Sequence, residues 1–309
     1  MDFIAILAAG VASGTILAIA AIGAIFAERS GVLNLGVEGM MLVGAVAAFS
    51  IAVSTGSPWL GVLVAMLAAG LLSQLHAVMT IHFRADQVVS GLALTFLGTG
   101  LARVLGEGLS SARDVTLVGR TTIPLLADVP IIGPIFFTDQ STLTYAAYLL
   151  VPIASIWIAR TRPGLHLRAV GESPAAADAM GINVVRYRYA HTLVGGAFAG
   201  VGGACFSISI LNQWVDGLTN GAGWIAIALV IFSFWRPHLC LVGAYLFGAF
   251  QALPLTLQAR EVTVLPTEVY ESLPYVMTIV VLVLVSTAGA KRRLGAPAAL
   301  GLPYVREER

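Results

Sequence analysis

The chain alternates between long apolar stretches without charged residues and short segments that carry charge, glycine or proline. A helix that crosses a membrane needs about 20 residues, because each residue adds about 1.5 Å. The uncharged stretches near or above that length are 3–27, 39–83, 140–159, 189–215, 217–235, 237–259 and 272–290. The second is too long for one span, and the Thr-Gly-Ser-Pro sequence at 55–58 predicts a turn that divides it.

Two further segments, one after an expected break at 28–34 and one at 87–105, bring the number of spans to about nine, within a range of about 8–10. The composition supports this interpretation, because 58% of the residues are apolar and only 11% are charged, with a mean hydropathy of +0.90. A soluble domain carries about 25% charged residues. The predicted fold is an all-α, polytopic membrane bundle. The predicted spans are 3–27, 35–54, 59–82, 87–105, 141–159, 190–211, 217–235, 238–258 and 272–290.

The distribution of Lys and Arg predicts which end of each span is cytoplasmic. With a cytoplasmic C-terminus, only Arg103, Arg113, Arg120 and Arg260 lie outside, and the other thirteen of the 17 Lys and Arg residues lie inside. The opposite orientation would invert this excess. The orientation creates a long outer loop at 106–140, in which glycines and prolines exclude a long helix, a long inner loop at 160–189 and a cytoplasmic tail at 291–309.

The inner loop contains the signals of a short helix over 173–181. Ser173 is a suitable N-cap, Pro174 suits the first helical position, and Gly181 suits a left-handed C-terminal turn. The alanines between them keep the helix narrow, and Met180 adds an apolar side chain. Such a helix could dock into a groove on a partner, whereas the simpler alternative is a surface turn between two spans.

Ionisable and amide side chains enter the apolar pattern at 28–38, namely Glu28, Arg29, Asn34 and Glu38. Polar groups at membrane depth usually face the bundle interior or a water-filled path, and broken helices in transporters commonly mark substrate sites. Asn34 and Glu38 are therefore candidates for the solute path. The alternative is structural: Glu28 pairs with Arg29 at the inner interface, and Glu38 caps the second segment.

Other candidates for the path are Gln74, His76, Phe96 and Trp224. The first two could bind a polar solute, although a packed, hydrogen-bonded histidine is the commoner case. The aromatic rings could stack on a nucleobase, although tryptophan is also enriched at membrane interfaces.

Several classes of protein are excluded by what the chain lacks. The net charge of +1 without a dense basic run argues against nucleic-acid binding. Cys205 and Cys240 have neither zinc-site nor disulfide-framework spacing, so no metal site is expected. The single lysine, Lys291, follows an alanine, so the chain has no Gly-Lys of a phosphate-binding loop and cannot be its own ATPase.

Residues 164–182 resemble the coupling loop of bacterial ABC importer permeases, in the family that groups simple-sugar, nucleoside and branched-chain amino-acid permeases. The resemblance rests on Arg-Ala-x-Gly-Glu followed by Ala-Ala-x-x-x-Gly-Ile. In that family the loop contacts the ATPase subunit. The residues implied in this contact are Arg168, Gly171, Glu172, Ser173, Pro174, Ala175, Ala176, Asp178 and Gly181.

Two further segments resemble the same family. Residues 28–42 (Glu-Arg-Ser-Gly-Val-Leu-Asn-Leu-Gly-Val-Glu-Gly-Met-Met-Leu) are very similar to a signature of the nucleoside-type permeases. Residues 221–237 resemble the matching segment in the second half, with Ser233 where the family usually has glycine. Both segments are glycine-rich entries into apolar spans, which is consistent with two pseudo-symmetric halves.

The resemblance implies one transmembrane permease domain over 1–309, in the inner membrane, that imports nucleosides and is not an enzyme. The implied partners are ATPase subunits that bind ATP and Mg²⁺, a second identical or paralogous permease subunit, and an extracytoplasmic solute-binding lipoprotein. No cofactor is expected in this chain. Two alternatives stay open. The cargo could be a ribose-like sugar or another small polar solute, or the protein could be an ion-coupled secondary transporter with Glu28 or Glu38 as proton carrier.

Overall fold

The computed structural model describes residues 3–112, 115–258, 266–285 and 295–306, and these residues form a helical bundle. The helices are α1 (Phe3–Arg29), α2 (Val37–Thr55), α3 (Pro58–Ala77), α4 (Gln87–Leu105), α5 (Ile132–Phe136), α6 (Thr142–Arg160), α7 (Arg162–Glu172), α8 (Pro174–Ala179), α9 (Val184–Cys205), α10 (Ala222–Phe232), α11 (Pro237–Gln258) and α12 (Thr267–Val285). Five-residue π-helical turns prolong α3 and α9, over Val78–His82 and Phe206–Ile210.

Within the described ranges, six of these segments are long and apolar enough to cross a membrane: α1, α2, α3 with its π turn, α4, α6, and α9 with its π turn. The prediction of a polytopic helical membrane protein is confirmed. The predicted charges at Arg113, Arg260, Lys291–Arg293 and Arg309 lie outside the described residues, as does the end of the predicted span at 272–290.

Helix α1 lies at the centre of the bundle, and every residue from Gly14 to Glu28 is buried. A helix that is apolar on all sides is suited to this position. Small residues bring its neighbours close, since a Cβ on Gly14 would lie 2.5 Å from the carbonyl oxygen of Ala244 in α11, and one on Gly23 would lie 2.7 Å from that of Gly195 in α9. Close backbone approach is how helices associate in lipid.

The two predicted interruptions in the first half are confirmed. Helix α1 ends at Arg29 and α2 begins only at Val37, with Gly31 in the left-handed region at φ +91°. At the other end of α2, Gly56 adopts φ +68°, and the Ser57 hydroxyl accepts a capping bond from the amide of Leu60.

The segment 106–140 contains no long helix among its described residues, as expected. It holds a 3₁₀ turn (Leu109–Ser111), the short α5, and strands β1 (Arg120–Thr121) and β2 (Gln140–Ser141). The strands pair antiparallel, with Arg120 opposite Ser141. The paired strands lie beside the start of α1, because the side-chain amide of Gln140 donates to the carbonyl of Ala8 at 3.3 Å.

The prediction of a full span over 217–235 is wrong. Helix α10 covers 11 residues, or about 16 Å, which is half of a bilayer core of about 30 Å. The preceding residues cannot continue the helix, because Gly217, Asn220 and Gly221 have φ values of +72°, +42° and +79°. The second half therefore contains a half-helix entered by irregular backbone.

The expected loop at 160–189 is mostly helical. It consists of α7, α8 and the start of α9, so the predicted start of that span at 190 is six residues late. The short helix is confirmed as α8, and Gly181 adopts φ +84° as expected. Ser173 stands at the N-cap position, but its hydroxyl makes no capping hydrogen bond.

Two glycines in α4 test whether close backbone packing holds the bundle together. A Cβ on Gly98 would lie 2.5 Å from the carbonyl oxygen of Gly39, whereas one on Gly100 would meet nothing within 4 Å. We expect Gly98→Ala to lower the free energy of unfolding by about 1–3 kcal/mol through overpacking. Gly100→Ala is the matched control and should be neutral or stabilising. Thermal unfolding in mild detergent measures both, and equal stability of the two variants would contradict the prediction.

Candidate functional site

The non-helical segment between α1 and α2 is held by polar side chains from α3 and α4. The amide of Leu33 donates to Oε1 of Gln87 at 2.6 Å, and the carbonyl of Leu33 lies 3.0 Å from Nε2 of His76. The hydroxyl of Thr95 donates to the carbonyl of Leu35 at 3.0 Å. Backbone groups that would be unpaired at membrane depth thus obtain partners from side chains, which is the condition for breaking a helix there.

Asn34 supports the same segment from within. Its Oδ1 accepts a hydrogen bond from the amide of Gly36 at 2.8 Å, and its Nδ2 lies 3.9 Å from the sulfur of Met40. The side chain is buried. Asparagine here closes a local turn that leads into α2, as Asx side chains commonly do.

The carboxylate of Glu38 joins the first half of the chain to the second. Its Oε1 accepts hydrogen bonds from the hydroxyl of Thr219 at 2.6 Å and from the amide of Gly221 at 2.9 Å. Its Oε2 accepts one from the amide of Gly223 at 2.6 Å. Glu38 lies in the first turn of α2 and caps the N-terminus of α10, so one buried carboxylate stands at the positive ends of two helices. The structural alternative, in which Glu38 caps the second segment, is therefore wrong, because its hydrogen bonds go to the start of α10 in the other half.

This junction lies level with the middle of α4, one of the helices that are long and apolar enough to cross a membrane. The residue after Glu38, Gly39, packs against Thr95 and Gly98, which are half-way along α4. A Cβ on Gly223 would lie 2.5 Å from the Cα of Glu38, so α10 begins in direct backbone contact with α2. The non-helical segment before α2 and the one before α10 thus both end beside the buried side chain of Glu38.

Glu28 and Arg29 bind the far end of α10 instead of each other. Oε2 of Glu28 accepts a hydrogen bond from the indole nitrogen of Trp235 at 2.6 Å. The guanidinium of Arg29 donates to the Trp235 carbonyl at 3.1 and 3.3 Å. The expected Glu28–Arg29 pair is therefore wrong, because Trp235 offers a separate partner to each residue.

The remaining path candidates are dispersed. Trp224 lies in the first turn of α10, beside Gly221, and is 39% exposed. Both ring nitrogens of His76 have hydrogen-bond partners, since Nδ1 lies 2.9 Å from the Ser90 hydroxyl and Nε2 lies 3.0 Å from the carbonyl of Leu33. Gln74 donates to the carbonyl of Tyr189 in α9 at 3.4 Å. Phe96 points away from the junction and is 76% exposed on α4.

Helices α7 and α8 lie at the end of the bundle where α1 terminates. Gly171 packs on the carbonyl of Arg29, with no space for a side chain. Its own carbonyl accepts a hydrogen bond from Ala299 in the segment 295–306, and that segment also reaches the break between α1 and α2, where Gly301 donates to Gly31 at 3.2 Å. Arg188, buried in α9, donates to Leu302 at 3.0 Å. The segment 295–306 thus joins α7, α9 and the break.

The residues expected to couple to an ATPase fall into two groups. Five of them are exposed on or beside α8: Glu172, Ser173, Ala175, Ala176 and Gly181. The others serve internal contacts: Gly171 is buried, Pro174 is half-buried, Arg168 donates to the carbonyl of Ala159 at 3.3 Å, and Asp178 forms an ion pair with Arg306 at 3.2 Å. A groove of about 660 Å³ lies between the end of α8, the start of α9, the π turn that follows α3 and the segment 295–306. No cluster of metal-ligating side chains occurs in the part of the chain that the structure describes.

Comparison with known proteins identifies the class of this bundle. The family described as branched-chain amino acid transport system / permease component matches residues 6–282. The chain belongs to this permease family. A relative in Haloferax volcanii, named a candidate glucose ABC transporter permease protein (TsgC13), is 40% identical over 99% of both chains. The nucleoside ABC transporter permease protein NupC of Lactococcus lactis is 35% identical, and the guanosine ABC transporter permease protein NupQ of Bacillus subtilis is 36% identical, each over 95% of this chain and 94% of the relative. No solved structure matches the chain.

Sequence reasoning missed several residues that hold the permease together, above all Thr219, Trp235 and Gln87. Nothing in the spacing links Thr219 to Glu38, which precedes it by 181 residues. A usable signal existed in the Gly-Leu-Thr-Asn-Gly sequence at 217–221, because two glycines around an asparagine are typical of a break. A Gly-rich break in an apolar span needs a capping partner, and Glu38 was an available carboxylate.

The cap at Glu38 predicts a stability defect that a proton carrier would not show. Glu38→Gln replaces one acceptor oxygen with an amide donor that faces backbone donors, so we expect the permease to lose at least about 2 kcal/mol of unfolding free energy. Glu107→Gln, at an exposed glutamate, is the control. Thermal unfolding in detergent measures the loss. Unchanged stability together with loss of coupling to an ion gradient would instead support the proton-carrier hypothesis.

Proposed function

We propose that this permease is the membrane subunit of an ABC importer that carries nucleosides across the plasma membrane. Support for this cargo comes from NupC and NupQ, whose names specify nucleoside and guanosine transport and which match nearly the whole chain. Separate ATPase subunits would bind ATP and Mg²⁺, and an extracytoplasmic binding lipoprotein would deliver the solute.

The observation that carries the coupling role is the continuous contact from α8 to the broken segment. Helix α8 presents Met180, whose side chain is 82% exposed, at the end of the bundle. The adjoining α7 touches both Arg29 and the segment 295–306, and that segment binds Gly31. A push on α8 by a closing ATPase would therefore reach the break between α1 and α2. This role places α7, α8 and the C-terminus on the cytoplasmic side.

A paralogous second permease subunit fits the relatives better than a homodimer. Bacillus subtilis has two guanosine ABC transporter permease proteins similar to this chain, NupQ at 36% and NupP at 27% identity. Lactococcus lactis has NupC and NupB, and Haloferax volcanii has TsgC13 and TsgB13. We propose that this chain likewise pairs with a more distant permease.

A sugar is the second candidate cargo, favoured by the glucose permease relative at 40% identity. In either case Trp224 remains the path candidate among the residues named from sequence. We assign Asn34, Glu38 and His76 to holding the break, Gln74 to helix packing and Phe96 to the outer surface of α4.

Uptake of labelled uridine, guanosine, ribose and glucose into membrane vesicles tests the cargo. We expect nucleoside uptake that requires ATP, the ATPase, the partner permease and the binding protein, because this sequence has no Gly-Lys of a phosphate-binding loop. The control vesicles lack the ATPase. Sugar uptake alone would move the cargo to the second candidate, and uptake that persists without the ATPase would refute the importer assignment.

The exposed side chain of Met180 tests the docking role of α8. Met180→Asp places a charge on an apolar contact, and we expect at least about a tenfold loss of ATPase association, equal to about 1.4 kcal/mol. Leu125→Asp is a matched control, because Leu125 is 83% exposed against 82% for Met180 but lies in the segment 106–140 at the opposite end. Co-purification of the ATPase from detergent measures association. Equal association for both variants would contradict the docking role.

A further inference from the structure

A polar pocket of about 220 Å³ lies between α10, α11 and α12, close to the cap at Glu38. Its polar side chains are Asn220, Gln251 and Tyr275, and the ring of Phe250 forms another part of its wall. Tyr275 lies near Gly221, where an added Cβ would meet its hydroxyl at 3.3 Å. Because Gly221 also binds Glu38, the pocket lies at the level of the junction, beside the middle of α4.

The pocket opens on the surface of the chain. Asn220 is exposed, Tyr275 is 50% exposed, and Trp224 nearby is 39% exposed. Irregular backbone and polar side chains at this depth do not face lipid, and are found where they are buried by protein or line a water-filled cavity. This face of α10, α11 and α12 therefore borders either a partner or the aqueous path.

Two prolines inside helices, Pro254 in α11 and Pro274 in α12, line the same pocket. A proline has no N–H to donate to the carbonyl four residues earlier, so the carbonyl of Phe250 lacks its usual helical donor. Phe250 also lines the pocket, so α11 offers a backbone acceptor beside the amide and phenol groups.

The residues that line the pocket favour an uncharged, ring-shaped ligand. None of the described residues that line the pocket is charged. Each amide of Asn220 and Gln251 supplies both donors and an acceptor, which is how proteins read the edge of a base. The aromatic rings of Phe250 and Tyr275 offer stacking faces. The volume is below the ~300 Å³ of pockets that enclose a drug-sized ligand, so the pocket suits one ring system at a time.

We propose that this pocket binds the base of the transported nucleoside, with Gln251 and Tyr275 as hydrogen-bonding residues. The proposal rests on the proposed nucleoside cargo and assigns it a site in this chain. A solute bound here would contact Asn220, the residue before Gly221, whose amide donates to Glu38. It would therefore lie where the break between α1 and α2 meets the start of α10. The sugar of the nucleoside would then lie along the open side of the pocket.

Cysteine labelling of the assembled importer in vesicles tests this site. The native Cys205 and Cys240 are buried, with 3% and 0% exposure, so within this chain we expect the introduced thiol to react first. We expect Gln251→Cys to react with a charged, water-soluble thiosulfonate. Phe96→Cys, on the exposed face of α4, is the control for a lipid-facing thiol and should stay unreactive, because the reagent does not enter lipid.

Protection by solute identifies the ligand. At about ten times the half-saturating concentration, uridine or guanosine should slow the labelling of Gln251→Cys about tenfold. Ribose and glucose should not protect. Reactivity as low as that of Phe96→Cys would overturn the site, and protection by ribose alone would overturn the assignment of the base.

A second variant keeps the test valid if the cysteine protein does not assemble. Tyr275→Phe removes only the hydroxyl, and we expect the half-saturating nucleoside concentration for uptake to rise about tenfold with little change in the maximal rate. An unchanged half-saturating concentration would overturn the role of Tyr275. Failure of the unaltered importer to take up any nucleoside would refute the proposed cargo instead, so the two failures are distinct.

Discussion

The carboxylate of Glu38 is the contact on which the arrangement of the bundle depends. It lies in the first turn of α2, yet its three hydrogen bonds go to Thr219, Gly221 and Gly223 at the start of α10. A half-helix inside a membrane leaves several amides without partners, and water cannot supply them there. One buried carboxyl group satisfies these donors and joins α2 in the first half of the chain to α10 in the second.

Other polar residues within the spans follow the same logic. His76, Gln87 and Thr95 pair the backbone of 33–35, while Glu28 and Arg29 bind Trp235 at the other end of α10. Most of the polar residues singled out by the sequence therefore maintain broken helices. The candidates for contact with solute are instead Asn220, Gln251 and Tyr275, on the exposed side of the junction. The residues of the proposed solute pocket are thus distinct from the residues that hold the break.

The segment 295–306 gives the break a connection to the end of the bundle. It binds Gly171 in α7, Gly31 in the break and Arg188 in α9. The motif at 164–182 and the broken segment after α1 are thus connected through this segment, a relation that no spacing in the chain indicates. This connection is the basis of the proposed coupling role.

The sequence by itself determined the class of fold, the break at 28–34, the turn at 55–58 and the short helix α8, because hydropathy, glycine, proline and capping residues act over a few positions. It also predicted the family from the motifs at 28–42, 164–182 and 221–237. Only the tertiary structure decided that 217–235 is a half-helix, that Glu38 caps α10, and that Glu28 and Arg29 share Trp235 as a partner. The contacts of Glu38, Glu28 and Arg29 depend on which distant groups the fold brings within hydrogen-bonding distance of each side chain. The half-helix could not be predicted, because an uncharged apolar run has the same hydropathy whether it spans a membrane or stops half-way.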